Sequence, residues 1–183
     1  MNKVVISVLG QDRPGIIARV TAAIFEKNGN IENVSQTIVQ SEFSGIFIAA
    51  FPSDPPPESL QVYFRDQVAD MGLTVYIETL KPRKQVAAIP GEPFVITTQG
   101  PDRKGLVAAV TSVIAGYHVN VTNLQAVFKG GDDPSQNIMI YEVDVPLKTN
   151  RRELSRDLRK KAEELGLEIS IQHRHIFEAI NRI

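Results

Sequence analysis

The chain repeats itself. Residues 9–38, LGQDRPGIIARVTAAIFEKNGNIENVSQTI, align without a gap on residues 99–128, QGPDRKGLVAAVTSVIAGYHVNVTNLQAVF, at a constant offset of 90. Gly10, Asp12, Arg13, Gly15, Ala18, Val20, Thr21, Ile24, Asn30 and Asn33 recur as Gly100, Asp102, Arg103, Gly105, Ala108, Val110, Thr111, Ile114, Asn120 and Asn123. A unit of that length is too long for a solenoid repeat and matches a small independent domain. The chain of 183 residues therefore reads as two duplicated domains, 1–82 and 93–183, the second with a short C-terminal extension. Residues 83–92 join them, in a stretch punctuated by Pro90 and Gly91.

Within each unit the hydrophobic periodicity alternates between strand and helix. Val4–Leu9 is short, apolar and β-branched, as a buried strand is. Ile16, Val20, Ala23 and Ile24 then fall on one helical face, with Pro14 suited to the first turn. Asn28-Gly29-Asn30 stops this helix, because Asn and Gly tolerate a left-handed C-cap. Ile31–Gln40 and Phe43–Phe51 read as strands joined by a turn at Ser41-Glu42. Leu60, Phe64, Val68 and Met71 stripe a second helix ended by Gly72, and Leu73–Leu80 is a last strand.

The second half repeats the order. Its strands are Phe94–Gln99, Val119–Phe128, Asn137–Val145 and Leu167–His173, and its helices Arg103–Gly116 and Asn150–Leu165. Lys129–Ser135 enlarges the hairpin turn. The β-α-β-β-α-β order with right-handed crossovers gives an α+β, ferredoxin-like fold, an antiparallel sheet with two helices on one face. Phe43, Phe47 and Phe51 alternate with Ile46 and Ile48, so both faces of that strand are apolar. A two-layer domain leaves one face wet, so the second face is expected to be covered by the sister domain or a second chain.

The segment Gly10–Gly15 joins a strand to a helix. Free N–H groups and the macrodipole at that helix start favour an anion, and glycines admit close backbone approach. Asn30 and Asn33 open the next strand, taken to run close to this loop, and offer both donors and acceptors. A carboxylate at the helix start and an ammonium near Asp12 or an Asn carbonyl suit an α-amino acid. Simpler roles stand beside this: Asp12 as an N-cap, Asn30 as a C-cap residue and Arg13 as a solvated charge.

GQDRPGI followed by NIEN, and GPDRKGL followed by NVTN, within two β-α-β-β-α-β units, resemble the ACT domain. The resemblance runs from Lys3 to about Ile171. Two free-standing copies without a catalytic domain look like the glycine cleavage system transcriptional repressor family. The resemblance implies regulatory binding of a small molecule, usually an amino acid, often at an interface between paired domains. It points to Gly10, Asp12, Arg13, Pro14, Gly15, Ile16, Asn30 and Asn33, and to Gly100, Asp102, Arg103, Gly105, Leu106, Asn120 and Asn123. The second unit departs from the pattern at Lys104, in place of Pro, and at Tyr117-His118-Val119, in place of the Asn-Gly stop. Asp12 and Asp102 stand where some serine-binding ACT sites have Asn, adding negative charge near the carboxylate position, so ligand identity does not transfer.

Other chemistries find little support. Cysteine is absent, which excludes disulfides and thiolate catalysis, and net charge is −1. No phosphate-binding loop, nucleophile elbow or zinc-protease motif occurs, so neither an enzyme nor a cofactor is expected. His173 and His175 share a strand parity without acidic partners nearby, and read as strand-end residues. Arg152, Arg156 and Arg159 share a helical face, but interleaved Glu and Asp argue for a solvated surface over direct nucleic-acid binding. Ile176, Phe177, Ile180 and Ile183 stripe a C-terminal segment that could dock as a helix. The N-terminal apolar run is too short for a membrane span or signal, so a cytoplasmic protein is expected. A homodimer with an amino-acid effector and a regulatory protein partner is expected, with a ligand-free interaction module as the alternative.

Overall fold

The computed structural model describes residues 2–52, 55–80, 90–128 and 137–180. The chain divides into two compact units, Met1–Lys84 and Gln85–Ile183. Most of the expected linker, the enlarged hairpin turn and Ile183 lie outside the described residues.

Unit 1 runs β1 (Asn2–Gln11), α1 (Ile16–Glu26), β2 (Asn30–Val39), β3 (Glu42–Phe51), α2 (Pro57–Gln67), a single 3-10 turn (Ala69–Met71) and β4 (Thr74–Thr79). Unit 2 runs β5 (Gly91–Gly100), α3 (Leu106–Gly116), β6 (Asn120–Phe128), β7 (Asn137–Pro146), α4 (Arg151–Leu165), β8 (Glu168–His173) and α5 (Arg174–Ile180). The sheets have the orders β2-β3-β1-β4 and β6-β7-β5-β8, with antiparallel neighbours throughout. Each unit is thus the β-α-β-β-α-β fold that the periodicity indicates.

One sheet face and the apolar stripes of two helices make each core. In unit 1 Ile6, Val8, Phe47 and Phe51 meet Val20 and Ile24 from α1 and Leu60 and Phe64 from α2, all at most 2% exposed. In unit 2 Ile96, Tyr141 and Val143 meet Val110 and Ile114 from α3 and Leu154 and Leu158 from α4. On the other face of β3, Ile46 is 49% exposed, and Tyr76 of β4 is 61% exposed. In unit 2, Arg174 of α5 pairs at 3.0 Å with Glu142, which also accepts a 2.8 Å hydrogen bond from Asn123 Nδ2. The C-terminal segment is therefore a helix that packs against β5 and β8 of its own unit.

Helix ends differ from expectation in position but not in mechanism. After α1 the left-handed residue is Asn28 (φ 54) rather than Gly29. Its N–H bonds Phe25 O at 2.8 Å and that of Gly29 bonds Ile24 O at 2.9 Å, the paired bonds of a Schellman stop. Unit 2 keeps the motif without Asn or Gly: His118 takes φ 56, and Val119 N bonds Ile114 O at 3.3 Å. The β2–β3 turn is at Gln40-Ser41, with Gln40 at φ 57.

The two helices of each unit are tied by a tyrosine and a carboxylate. Tyr63 of α2 donates to Glu26 at 2.6 Å, and Tyr117, just past α3, donates to Asp157 of α4 at 2.6 Å. Desolvation first, then the Glu26 hydrogen bond and charge, push the Tyr63 phenol up to about 12. A raised phenol favours the folded state below its ordinary value of 10.0 and loses that contribution as pH climbs towards 12. Tyr63→Phe should therefore flatten the fall in thermal midpoint between these pH values relative to the parent, followed by circular dichroism.

Candidate ligand-binding site

β1 ends in a loop that turns sharply into α1, and two glycines shape it for different reasons. Gly10 (φ 154) passes against the connection before β4: a Cβ there would lie 2.8 Å from Leu73 Cδ2 and 3.3 Å from Gly72 O. Gly100 repeats this, 2.8 Å from Leu167 Cδ2 and 2.9 Å from Gly166 O. Packing within the unit accounts for both. Gly15 (φ 97) and Gly105 (φ 89) are the N-caps of α1 and α3, and no atom lies within 4 Å of a Cβ built on either. They are needed for the left-handed turn, and the space beside them is open.

The consequence is an uncapped helix start. The first intrahelical bonds are Arg19 N to Gly15 O and Ala109 N to Gly105 O, both 2.9 Å. Neither cap residue supplies a side-chain acceptor, so the first-turn N–H groups of each helix, at the positive end of the dipole, have no side-chain cap. Ile16 and Leu106 are 2% and 3% exposed as whole residues, so the accessible residues of these helix starts are Ile17 and Ala18, and Val107 and Ala108.

Asp12 is not an N-cap, and Pro14 precedes the helix rather than sitting in its first turn. Asp12 N donates to Ser41 O at 2.7 Å, pinning the loop to the β2–β3 turn. Asp12, Arg13 and Pro14 are exposed. Among the described residues the Asp12 and Arg13 side chains meet no ion-pair or hydrogen-bond partner. In unit 2 Asp102 and Arg103 are likewise exposed, with the Arg103 guanidinium beside Gly166.

The asparagines do not join this loop. Asn30 pairs with Ala50, and Ala50 with Lys3; Gln11 at the loop end pairs with Glu42, and Glu42 with Val39. Asn30 therefore sits at the opposite end of the sheet from Gly10–Gly15, about 23 Å away along the strand at ~3.3 Å per residue. Asn33 lies opposite Ile48, also towards that end. Unit 2 agrees: Asn120 pairs with Asp144, far from Gly100, and the Asn123 amide is taken by Glu142. Nor is Asn30 a C-cap, since Asn28 fills that role. The crossover was the available signal: strands joined through one helix run parallel, so β2 must start where β1 starts.

The remaining sequence candidates are structural. His173 stacks edge-on with Phe94 at 5.2 Å and with His175 at 4.9 Å. No cluster of three metal-ligating side chains occurs among the described residues. On α4, Arg156 pairs with Asp157 at 2.9 Å and Lys161 with Glu164. Asp157 is held below the ordinary carboxylate range by the Tyr117 hydroxyl first and the Arg156 guanidinium second. No described helix is long and apolar enough to cross a membrane.

Comparison with known proteins agrees with this fold. ACT-domain family models match residues 4–60 and residues 92–172. The chain belongs to the ACT-domain family and carries two copies in tandem. A UPF0237 protein of Methanopyrus kandleri is 32% identical over 90 residues, covering 49% of this chain and 96% of that protein. One of Methanococcus maripaludis is 33% identical over 92 residues, covering 50% and 99%. These relatives are thus about one unit long. A solved protein of unknown role from Galdieria sulphuraria superimposes with TM-score 0.77 at 21% identity, covering 94% of this chain and 98% of its own. A candidate glycine cleavage system transcriptional repressor gives TM-score 0.69 at 18% identity, covering 93% and 96%. Both share the tandem fold.

The packing account of Gly10 has a direct check. Gly10→Ala should destabilise by about 1–3 kcal/mol through overpacking. Leu73→Val removes the atom it strikes, so the double variant should lose less than the sum of the singles. Urea unfolding of the four proteins of this cycle measures it, and strict additivity would refute the contact.

Proposed function

We propose that this chain is a regulatory protein that binds a free amino acid at the start of α1, and a second at the start of α3. One observation carries the reading. Each helix begins at a left-handed glycine with open space beside it, no side-chain cap, and an exposed Asp-Arg pair two and three residues earlier. The uncapped helix start suits a carboxylate, and Asp12 or Asp102 suits an ammonium. Unlike Ser, Thr, Asp or Asn, a glycine at the cap leaves the first-turn N–H groups without a side-chain acceptor.

Asn30 lies too far from the loop to share a ligand with Asp12 in one unit. If Asn30 takes part, a second copy of the chain supplies it, which fits a homodimer. Apolar side chains on the open face of unit 1, Ile46 and Tyr76 among them, offer such a copy a surface. In this reading the protein is a cytoplasmic regulator that acts on metabolism or transcription through a partner, not an enzyme. The basic side of α4, Arg151, Arg152, Arg156, Arg159 and Lys160, favours a second reading, an interaction module for an acidic partner that needs no ligand.

A thermal-shift screen against the common amino acids separates the two. A ligand at a hundred times its Kd stabilises the native state by about 2.7 kcal/mol. A selective upward shift, reduced in Asp12→Ala and lost when Asp102→Ala is added, is the expected result. A shift that survives Asp12→Ala and Asp102→Ala together would place the amino acid elsewhere, and no shift at all would favour the interaction module.

A further inference from the structure

Unit 2 has a cleft at a position where unit 1 has an aromatic ring. Asn30 and Asn120 correspond at an offset of 90, but Leu73 and Leu167 at 94, because the β6–β7 hairpin is longer by four residues. In the later register Phe51 corresponds to Val145, Phe64 to Leu158, Gln61 to Ser155 and Pro57 to Arg151. Phe51 and Phe64 are both 0% exposed in the core of unit 1. The Phe51 ring lies against Gly29 and Ile24, and Val145 with Val119 in place of Gly29 takes its role in unit 2, so it is Leu158 in place of Phe64 that withdraws a ring from between the second helix and the sheet. A cavity of about 200 Å³ results, walled by Ile96, Val143, Val145, Leu154, Leu158 and Ile171.

The mouth of the cavity also differs from its counterpart. In unit 1 Gln61 bridges α2 to the edge of β4: its Oε1 accepts from Ile77 N at 2.8 Å, and its Nε2 donates to Val75 O. Ser155 is too short to repeat this, and makes no hydrogen bond to β8 among the described residues. The helix–strand seam is therefore unbridged where the cavity opens. Arg151 stands at that opening with Ser155 and Phe94. It spends one Nη1–H on Glu92, at 2.5 Å, and the rest of its guanidinium fork faces no other described partner.

We infer that this cleft is a binding site for a small carboxylic acid with an apolar tail, distinct from the helix-start sites. The tail enters between α4 and the sheet, and the carboxylate rests on Arg151 and the Ser155 hydroxyl. An aliphatic cavity of about 150 Å³ holds benzene, so a tail of roughly six heavy atoms fits here. With its charge shared with Glu92, Arg151 selects an acid over an alcohol or an alkane of the same length through the guanidinium donors that Glu92 leaves unused. The site lies at the end of the sheet where β5 begins, remote from Gly105 at the start of α3.

Sodium hexanoate is the probe, titrated into the full chain carrying labelled Ile, Leu and Val methyl groups. Saturable shifts at Ile96, Val145 and Leu158, with Leu106 unmoved, are expected in the NMR spectrum. Leu158→Phe, which installs the unit 1 residue, should abolish them. Arg151→Gln, at an exposed position, should weaken hexanoate roughly tenfold while leaving hexan-1-ol unchanged. Shifts that do not saturate at those methyls, or equal hexanoate affinity in either variant, would overturn the assignment. An amino-acid shift retained in Leu158→Phe shows that the helix-start sites operate whichever way this experiment falls.

Discussion

Each unit depends on how closely the end of its first strand approaches the connection entering its last. Gly10 against Leu73, and Gly100 against Leu167, leave no room for a Cβ. That approach lets the central strand run on past the second helix before the chain turns. The loop that follows is then pinned by Asp12 N on Ser41 O, and the helix starts from a left-handed glycine. The uncapped N–H groups are a product of this route.

The architecture could be read from the chain because strand and helix periods differ and because the pattern occurs twice. Ile16, Val20, Ala23 and Ile24 were legible as a helix face, and all are buried. Boundaries were less so. The helix start slipped from Asp12 to Gly15 because Asp is the commoner cap, and only the backbone shows that Gly15 is left-handed. His118 marks a second limit. The stop after α3 needs one residue in the left-handed region and two backbone acceptors, and His meets that need where Asn does in unit 1.

The expectation that the asparagines run close to the loop of their own unit failed for a reason that topology contains. Asn30 follows the helix in sequence, and the helix carries the chain back to the end from which β1 set out. Nearness in the chain to the end of α1 is thus distance from its start. The duplication reinforced the error, because Asn120 repeats the same placement faithfully in unit 2. A repeated residue testifies that a position was inherited, not that it belongs to the site.

What the two units do not share is equally informative. Backbone devices persist: the tight glycine, the left-handed cap and the Schellman stop appear in both. Side-chain solutions drift. The helix–helix tie survives with its ends exchanged, tyrosine from α2 in one unit and from the end of α3 in the other. Backbone conformations are hard to replace, since only a few residues reach them, whereas volume and hydrogen bonding can be met in several ways. Phe51 over Gly29 in unit 1 is exchanged for Val145 with Val119 in unit 2, while Leu158 in place of Phe64 leaves space. Ser155 leaves the adjoining seam unbridged as well, and a single drift in volume does not account for both changes. Loss of core volume alone costs stability without return. Loss of volume together with an opened seam and a cation at the rim has the composition of a pocket, apolar within and polar at one point of its edge.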